Sequence, residues 1–202
     1  MDFAGVMDLV KNMLPSSIVT LEIFFLTIIF SSILGMFVAF GRMSKYAIIR
    51  IPIQVFLLIM RGTPLILQLM FFYFAPYYIF GTTLPRFWAA ILAFTLNYSA
   101  YIAEIYRSGI ESIPVGQYEA ATVLGFGKSE TFFKIILPQV VKRIIPPMSN
   151  ELMTLVKDTA LAQVIGVAEI FKLAGATMSS QFSTVPLIVA GIFYLIMNTV
   201  VE

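Results

Sequence analysis

The sequence predicts an all-α integral membrane protein with five transmembrane helices. Three observations predict it: an excess of apolar residues, a row of apolar runs long enough to cross a bilayer, and an uneven placement of Lys and Arg. Of the 202 residues, 59% are hydrophobic and 12% charged, and mean hydropathy is +0.93. Soluble domains sit nearer 45–50% apolar and about 25% charged. A water-soluble body of this length could not hide so much apolar surface, so part of it faces lipid.

A spanning helix needs about 20 largely apolar residues. Ile18–Phe40 qualifies, with Glu22 its only charge. Residues 51–80 are long enough but are interrupted by Arg61-Gly62-Thr63-Pro64. Residues 88–106 form a third run, carrying Asn97 and Glu104. Residues 144–172 are long enough for a fourth, with a polar interior of Asn150, Glu151, Thr154, Lys157, Asp158 and Gln163. Val185–Val201 is the fifth. Ahead of them, Phe3, Val6, Val10 and Met13 recur at helical spacing. Residues 1–15 therefore read as an amphipathic interfacial helix rather than a signal peptide, because no basic segment precedes an apolar run. The whole chain, 1–202, reads as a single transmembrane domain.

The basic residues orient the bundle. Arg42, Lys45 and Arg50 fall in the first loop, and Arg107, Lys128, Lys134, Lys142 and Arg143 in the third; together they are eight of thirteen. The opposite side holds Lys11, Arg86 and Lys172. Positive residues favour the cytoplasm, which places the N-terminus outside and the C-terminus in the cytoplasm.

Composition also excludes chemistry. The chain has neither Cys nor His, which removes disulfides, thiolate or imidazole metal sites and triads built on either residue. Gly127-Lys128-Ser129 resembles the end of a phosphate-binding loop, but that loop needs glycine five positions before Gly127, where Thr122 stands. The chain does not bind ATP by that route. Nor is there a selectivity-filter stretch or a detectable internal repeat of the kinds that channels and secondary transporters use.

Residues 110–147 are too long for a plain helix connection, which is usually about 2–8 residues. Pro114 can open a helix, Gly125-Phe126-Gly127 breaks it, and Ser129 is placed to cap a second, Thr131–Leu137, that Pro138 ends or kinks. Two short helices at an angle on the cytoplasmic side suit a groove on a soluble partner. Within them stand Glu119-Ala120-Ala121, then Gly125, then Ile135 and Leu137-Pro138. This spacing resembles the EAA signature of ABC importer permeases at every defined position. Thr20-Leu21, Arg61-Gly62-Thr63-Pro64-Leu65, Asn97-Tyr98-Ser99-Ala100-Tyr101 with Glu104, and Lys157-Asp158-Thr159-Ala160-Leu161 look like the polar amino acid permeases, the group that includes histidine, glutamine, glutamate and arginine importers. Ala160 departs mildly, since members often carry Ser there.

The resemblance covers essentially the whole chain and implies the type I ABC importer permease fold, with residues 110–147 as the coupling loop. It also implies a bacterial plasma-membrane location and two permease subunits, identical or not, around one pathway. Two copies of an ABC ATPase that hold ATP and Mg2+, and an extracytoplasmic substrate-binding protein, complete the expected assembly. No cofactor is expected in this chain, and no nucleic acid partner.

A substrate site is sought among buried polar residues, which are costly in a membrane and mark function by default. Glu151, Thr154 and Asp158 share one helix face at i, i+3 and i+7, with Asn150 beside them. An amino acid presents an ammonium and a carboxylate. Asp158 could take the former, Thr159 adjoins it, and Arg61, Gly62 and Thr63 lie at a break where irregular backbone lines a cavity. Asn97 and Gln68 are candidate neutral partners. Other roles stay open: Asp158 and Lys157 could pair with buried charges, Arg61 could be an interfacial charge, and Glu104 is expected to pair with a base near the cytoplasmic face. The excess of acids over bases leans towards a cationic amino acid such as arginine, lysine or histidine.

Overall fold

The computed structural model describes residues 3–202, with side chains from Gly5 onward, and every regular element among them is helical. In order they are α1 (Phe3–Arg42), α2 (Ala47–Gly62), α3 (Leu65–Phe80), α4 (Arg86–Glu111), α5 (Val115–Val123), α6 (Lys128–Glu130), a π segment (Thr131–Ile136), α7 (Leu137–Asp158), a 3-10 segment (Thr159–Ile165), α8 (Ile170–Gln181) and α9 (Val185–Val201). By length and composition, α1 alone is apolar enough to span as one helix among the described residues. The pairs α2–α3 and Lys128–Ile165 with α8 also meet the requirement, each as a bent unit. α9 has 17 residues, roughly 25 Å of rise.

α1 and α4 form the centre of the bundle. Thr27, Ser31, Gly35 and Ala39 recur every fourth residue on α1, a small-residue stripe that lets two backbones approach; Thr27 and Ser31 are fully buried and Ala39 is 2% exposed. A Cβ on Gly35 would lie 3.0 Å from Ile102 and 3.2 Å from the Ser99 carbonyl. Around this seam, Ile23, Leu69, Phe94, Leu155 and Val156 join α1, α3, α4 and α7 in the main core.

The structure departs from the sequence reading in four places. Of the segment 1–15 expected to be a separate interfacial helix, residues 1 and 2 lie outside the described residues and the rest is the first part of the 40-residue α1. Its apolar face meets protein: Leu9 and Met13 are buried with Ile170, Ala174, Val189 and Ala190, and Val6 and Val10 pack against them. The second expected run is two helices bent by 111°. The fourth starts earlier, at Leu137, and breaks after Ile165 with a bend of 59°. Gly166 ends that segment in the left-handed region, φ +85°.

The fourth departure lies in the loop of residues 110–147. Gly127, not Ser129, is the N-cap residue, and the Glu130 carboxylate accepts its N–H at 3.3 Å. Pro138 does not end the helix. The turn before it widens to π geometry, in which the Leu137 N–H donates to the Phe132 carbonyl, and the chain runs on into α7. A proline displaces the carbonyl four residues earlier, and the wider turn absorbs that displacement.

The sharpest break is closed by side chains. The Gln68 amide donates to the Met60 carbonyl at 3.0 Å and to Thr63 Oγ1 at 2.8 Å. Asn97 of α4 donates to the same Met60 carbonyl at 3.0 Å and to Gln68 Oε1 at 3.0 Å. Both amides are buried. Asn97→Leu leaves Gln68 Oε1 without its donor in the bundle and the Met60 carbonyl with Gln68 alone, at about 1–3 kcal/mol. Its expected effect is a lower unfolding midpoint in detergent and faster proteolysis near Gly62. An unchanged midpoint would show that the break is held by something else.

Candidate functional site

Two places on the molecule collect the residues that the sequence singled out. The first is the two-helix element around Gly125. α5 ends in a paired C-cap, with the Gly125 N–H donating to the Thr122 carbonyl and the Phe126 N–H to the Ala121 carbonyl, both at 3.0 Å. This closure requires a left-handed residue, and Gly125 has φ +83° with open space where a Cβ would stand. Its requirement is conformational rather than steric. The motif then divides by exposure. Ala121 is buried, while Ile135 packs on the small core of Ile113, Ile136 and Val140, and Leu137 is half-buried. Glu119, Ala120 and Pro138 are exposed. So are Val123 and Leu124, at 87% and 74%, two apolar residues at the tip whose significance the motif alone does not reveal.

The element is held firmly. The Gln139 amide donates to Gln117 Oε1 at 3.2 Å, and the Arg143 guanidinium reaches the Ser112 carbonyl and, at 2.9 Å, its hydroxyl. Lys134 donates to the Glu130 carboxylate at 2.8 Å. That ammonium, with the Gly127 N–H, holds the Glu130 carboxyl below its usual range. The result is a stiff, two-helix knob with an acidic residue and apolar side chains at its surface.

The second place is a cavity of about 280 Å³ inside the bundle. Glu151, Thr154 and Asp158 line it from α7, Asn97 from α4, and Thr63 from the break. Tyr98 and Tyr101 complete the wall, and the Tyr98 hydroxyl donates to Asp158 Oδ2 at 2.8 Å. Sequence reasoning placed both tyrosines in a motif but not in the site. The readable signal was spacing, since 97, 101 and 104 share one helix face. Among the described residues Asp158 makes no ion pair.

The other sequence-derived candidates lie elsewhere. Thr159 is fully buried and its hydroxyl donates to the Val156 carbonyl at 2.6 Å. Gln68 is occupied in closing the break, and Asn97 does both jobs. Arg61 and Gly62 line an adjoining cavity of about 470 Å³. There Arg61 lies over the Tyr101 ring at 5.5 Å and 3.7 Å from Glu104. Glu104 also takes a hydrogen bond from Arg107 at 2.8 Å and has Arg42 at 3.9 Å, so it pairs with bases as expected.

Sequence reasoning missed Glu169. It is fully buried and caps α8, its carboxylate accepting the Lys172 and Phe171 N–H groups at 2.6 and 2.7 Å and the Tyr194 hydroxyl at 3.0 Å. An acidic residue directly before a helical run is a cap signal. Because its partners are the chain's own amides, Glu169 is structural.

Gly125→Val forces a β-branched residue into the left-handed region, at about 1–2 kcal/mol or more. The expected result is a protein that inserts and binds substrate while ATP-driven uptake falls severalfold; normal uptake would detach the Gly125 turn from coupling.

Comparison with known proteins shows the family and the fold. Residues 31–202 match the family described as the binding-protein-dependent transport system inner membrane component. The L-cystine transport system permease protein TcyB of Bacillus subtilis is 41% identical over 181 residues, covering 88% of this chain and 76% of that protein. The arginine transport system permease protein ArtQ of the same organism is 34% identical, covering 98% and 90%. The crystal structure of an amino acid ABC transporter with histidines superposes with TM-score 0.90 at 32% identity, covering all of this chain and 94% of that one. The MetNI methionine ABC transporter, at 20% identity and TM-score 0.67, shares the fold. The chain belongs to the binding-protein-dependent transport system inner membrane components, the permease subunits of ABC importers, and has their type I fold.

Proposed function

We propose that this chain forms the translocation pathway of an importer of amino acids and that the cavity around Asp158 is where the substrate's cationic group rests. The observation that carries the reading is an acid at membrane depth without a basic partner, at the wall of a cavity. Buried charges commonly pair, and Asp158 has a phenol instead. Glu151 and Thr154 share its face, Thr63 and Asn97 lie opposite, and Arg61 and Gly62 stand towards the cytoplasm, where a carboxylate would pass. Gln68 supports the site through the break rather than by contact, and Thr159 supports the helix behind it.

Relatives named for L-cystine, arginine, glutamine and octopine transport support an amino acid or amino-acid-derived substrate. Two acids in the cavity wall without a base favour the cationic ones. The chain spans five times, with its N-terminus outside and its C-terminus in the cytoplasm, counting the bent α2–α3 and α7–α8 pairs as one span each. Two permease subunits enclose the pathway. A separate ATPase subunit, present twice and holding ATP and Mg2+, docks on the exposed surface of Glu119, Ala120, Val123 and Leu124. An extracytoplasmic binding protein delivers substrate.

The test is Asp158→Asn in the assembled complex, with binding of labelled amino acids measured directly. Loss of one charge contact predicts affinity for arginine weaker on the order of tenfold, ~1.4 kcal/mol, with assembly retained. Unchanged affinity and selectivity would remove Asp158 from the site.

A further inference from the structure

Two bases meet on one glycine at the end of the 3-10 segment. A Cβ on Gly166 would lie 3.1 Å from Arg86 Nη1 and 3.2 Å from its Cζ, so the guanidinium lies against that residue. The Lys172 ammonium donates to the Gly166 carbonyl at 2.6 Å. Three pieces of chain are gathered there: the start of α4, the turn that closes the 3-10 segment, and the first turn of α8. Arg86 is exposed and Lys172 half-buried.

The pair carries more positive charge than its surroundings answer. Among the described residues, no ion pair includes either base, and from residue 23 to residue 103 the sequence holds no acid. Glu169, the acid three residues before Lys172, is fully buried, and its oxygens accept the Phe171 and Lys172 N–H groups and the Tyr194 hydroxyl. Arg86 Nε donates to the Tyr73 hydroxyl at 3.3 Å, which leaves the fork of the guanidinium for an anion. That planar fork fits a carboxylate with two parallel hydrogen bonds.

Position says which anion arrives. α4 runs from Arg86 to Glu111, 26 residues and roughly 39 Å of rise, close to a bilayer with its headgroups. Ser112, the next residue, is tied to Arg143 beside the knob. Arg86 and Gly166 therefore stand at the opposite end of the molecule from the surface proposed for the ATPase. The family is binding-protein-dependent, and this opposite end is the one such a protein reaches. The 3-10 segment beneath the pair begins directly after Asp158 and has seven residues, so the bases lie one short segment beyond the cavity.

Resting on the proposal that a binding protein delivers substrate, we infer that Arg86 and Lys172 are a docking point for an acidic side chain of that protein. Its carboxylate takes the guanidinium fork and lies beside the ammonium. An exposed charge contact of this kind speeds encounter and weakens with salt.

The experiment uses the complete complex with its ATPase in phosphatidylcholine vesicles. The probe is the substrate-loaded binding protein encoded beside that ATPase, and its affinity for the vesicles is measured at low and high salt. Wild-type affinity should fall with salt. At low salt Arg86→Gln should bind about fivefold more weakly, Arg86→Gln with Lys172→Gln more weakly again, and Arg86→Glu the most weakly. A lysine replacing one surface acid of the binding protein should restore binding to Arg86→Glu. Basal ATPase activity and direct arginine binding should be unchanged in Arg86→Gln, because Arg86 lies outside the Asp158 cavity. Equal binding by wild type, Arg86→Gln and Arg86→Glu would overturn this site alone. No binding by the wild type would remove the delivery reading and the site together. Two further results would give the guanidinium to another occupant and overturn the site. One is phosphatidylglycerol retained by the wild type and lost in Arg86→Gln, with affinity for the binding protein unchanged. The other is a disulfide between Arg86→Cys, in a chain otherwise free of cysteine, and a cysteine on the second permease subunit.

Discussion

The arrangement of the bundle's interior depends on how four residues of broken helix are satisfied away from water. Between Gly62 and Leu65 the backbone turns through 111°, and the carbonyls near the turn lose their helical donors. An unsatisfied backbone group in hydrocarbon costs several kcal/mol. Gln68 and Asn97 supply the missing donors, one from the helix after the break and one from α4. The bend, the position of α4 and the polar cavity are therefore one feature. Asn97 both closes the turn and lines the cavity, so the wall of the cavity is fixed by the interaction that permits the break.

Charge is sorted along the same axis. The cavity holds Glu151 and Asp158, whereas beside it Arg42, Arg61 and Arg107 gather on Glu104. Tyr101 adjoins both regions, carrying Arg61 on its ring face. α5 packs on the π segment, which runs directly into α7, the helix that bears Asp158.

The sequence made legible whatever was local. The runs of α1 and α9, the opening of α5 at Pro114 and the break at Gly125 follow from periodicity and from what proline and glycine allow. The spacing from Glu119 to Pro138 is a contiguous pattern of the same kind. Pairings over distance were not legible. Asn97 meets Met60 37 residues away, and Tyr98 meets Asp158 across 60; neither distance leaves a periodic trace. The expectation for residues 1–15 took an apolar face to mean membrane, when α8 and α9 were its partners. Pro138 ends or kinks a helix on sequence grounds, and the sequence does not show that a π turn carries the chain through it. Thr159 was grouped with Asp158 by adjacency, although neighbours on a helix point in different directions.

The central claim, that this chain couples ATP hydrolysis to amino acid passage through the Asp158 cavity, is tested most directly by reconstitution. The chain, its ATPase and any required binding protein would be placed in vesicles, and ATP-dependent uptake of a panel of labelled amino acids measured beside a Glu119→Arg control. The account predicts uptake of arginine, lysine or histidine that needs ATP and disappears in the control. Uptake of glutamine or cystine alone would keep the coupling and reject the cationic preference. Uptake that is indifferent to ATP, or a control that transports normally, would contradict the account.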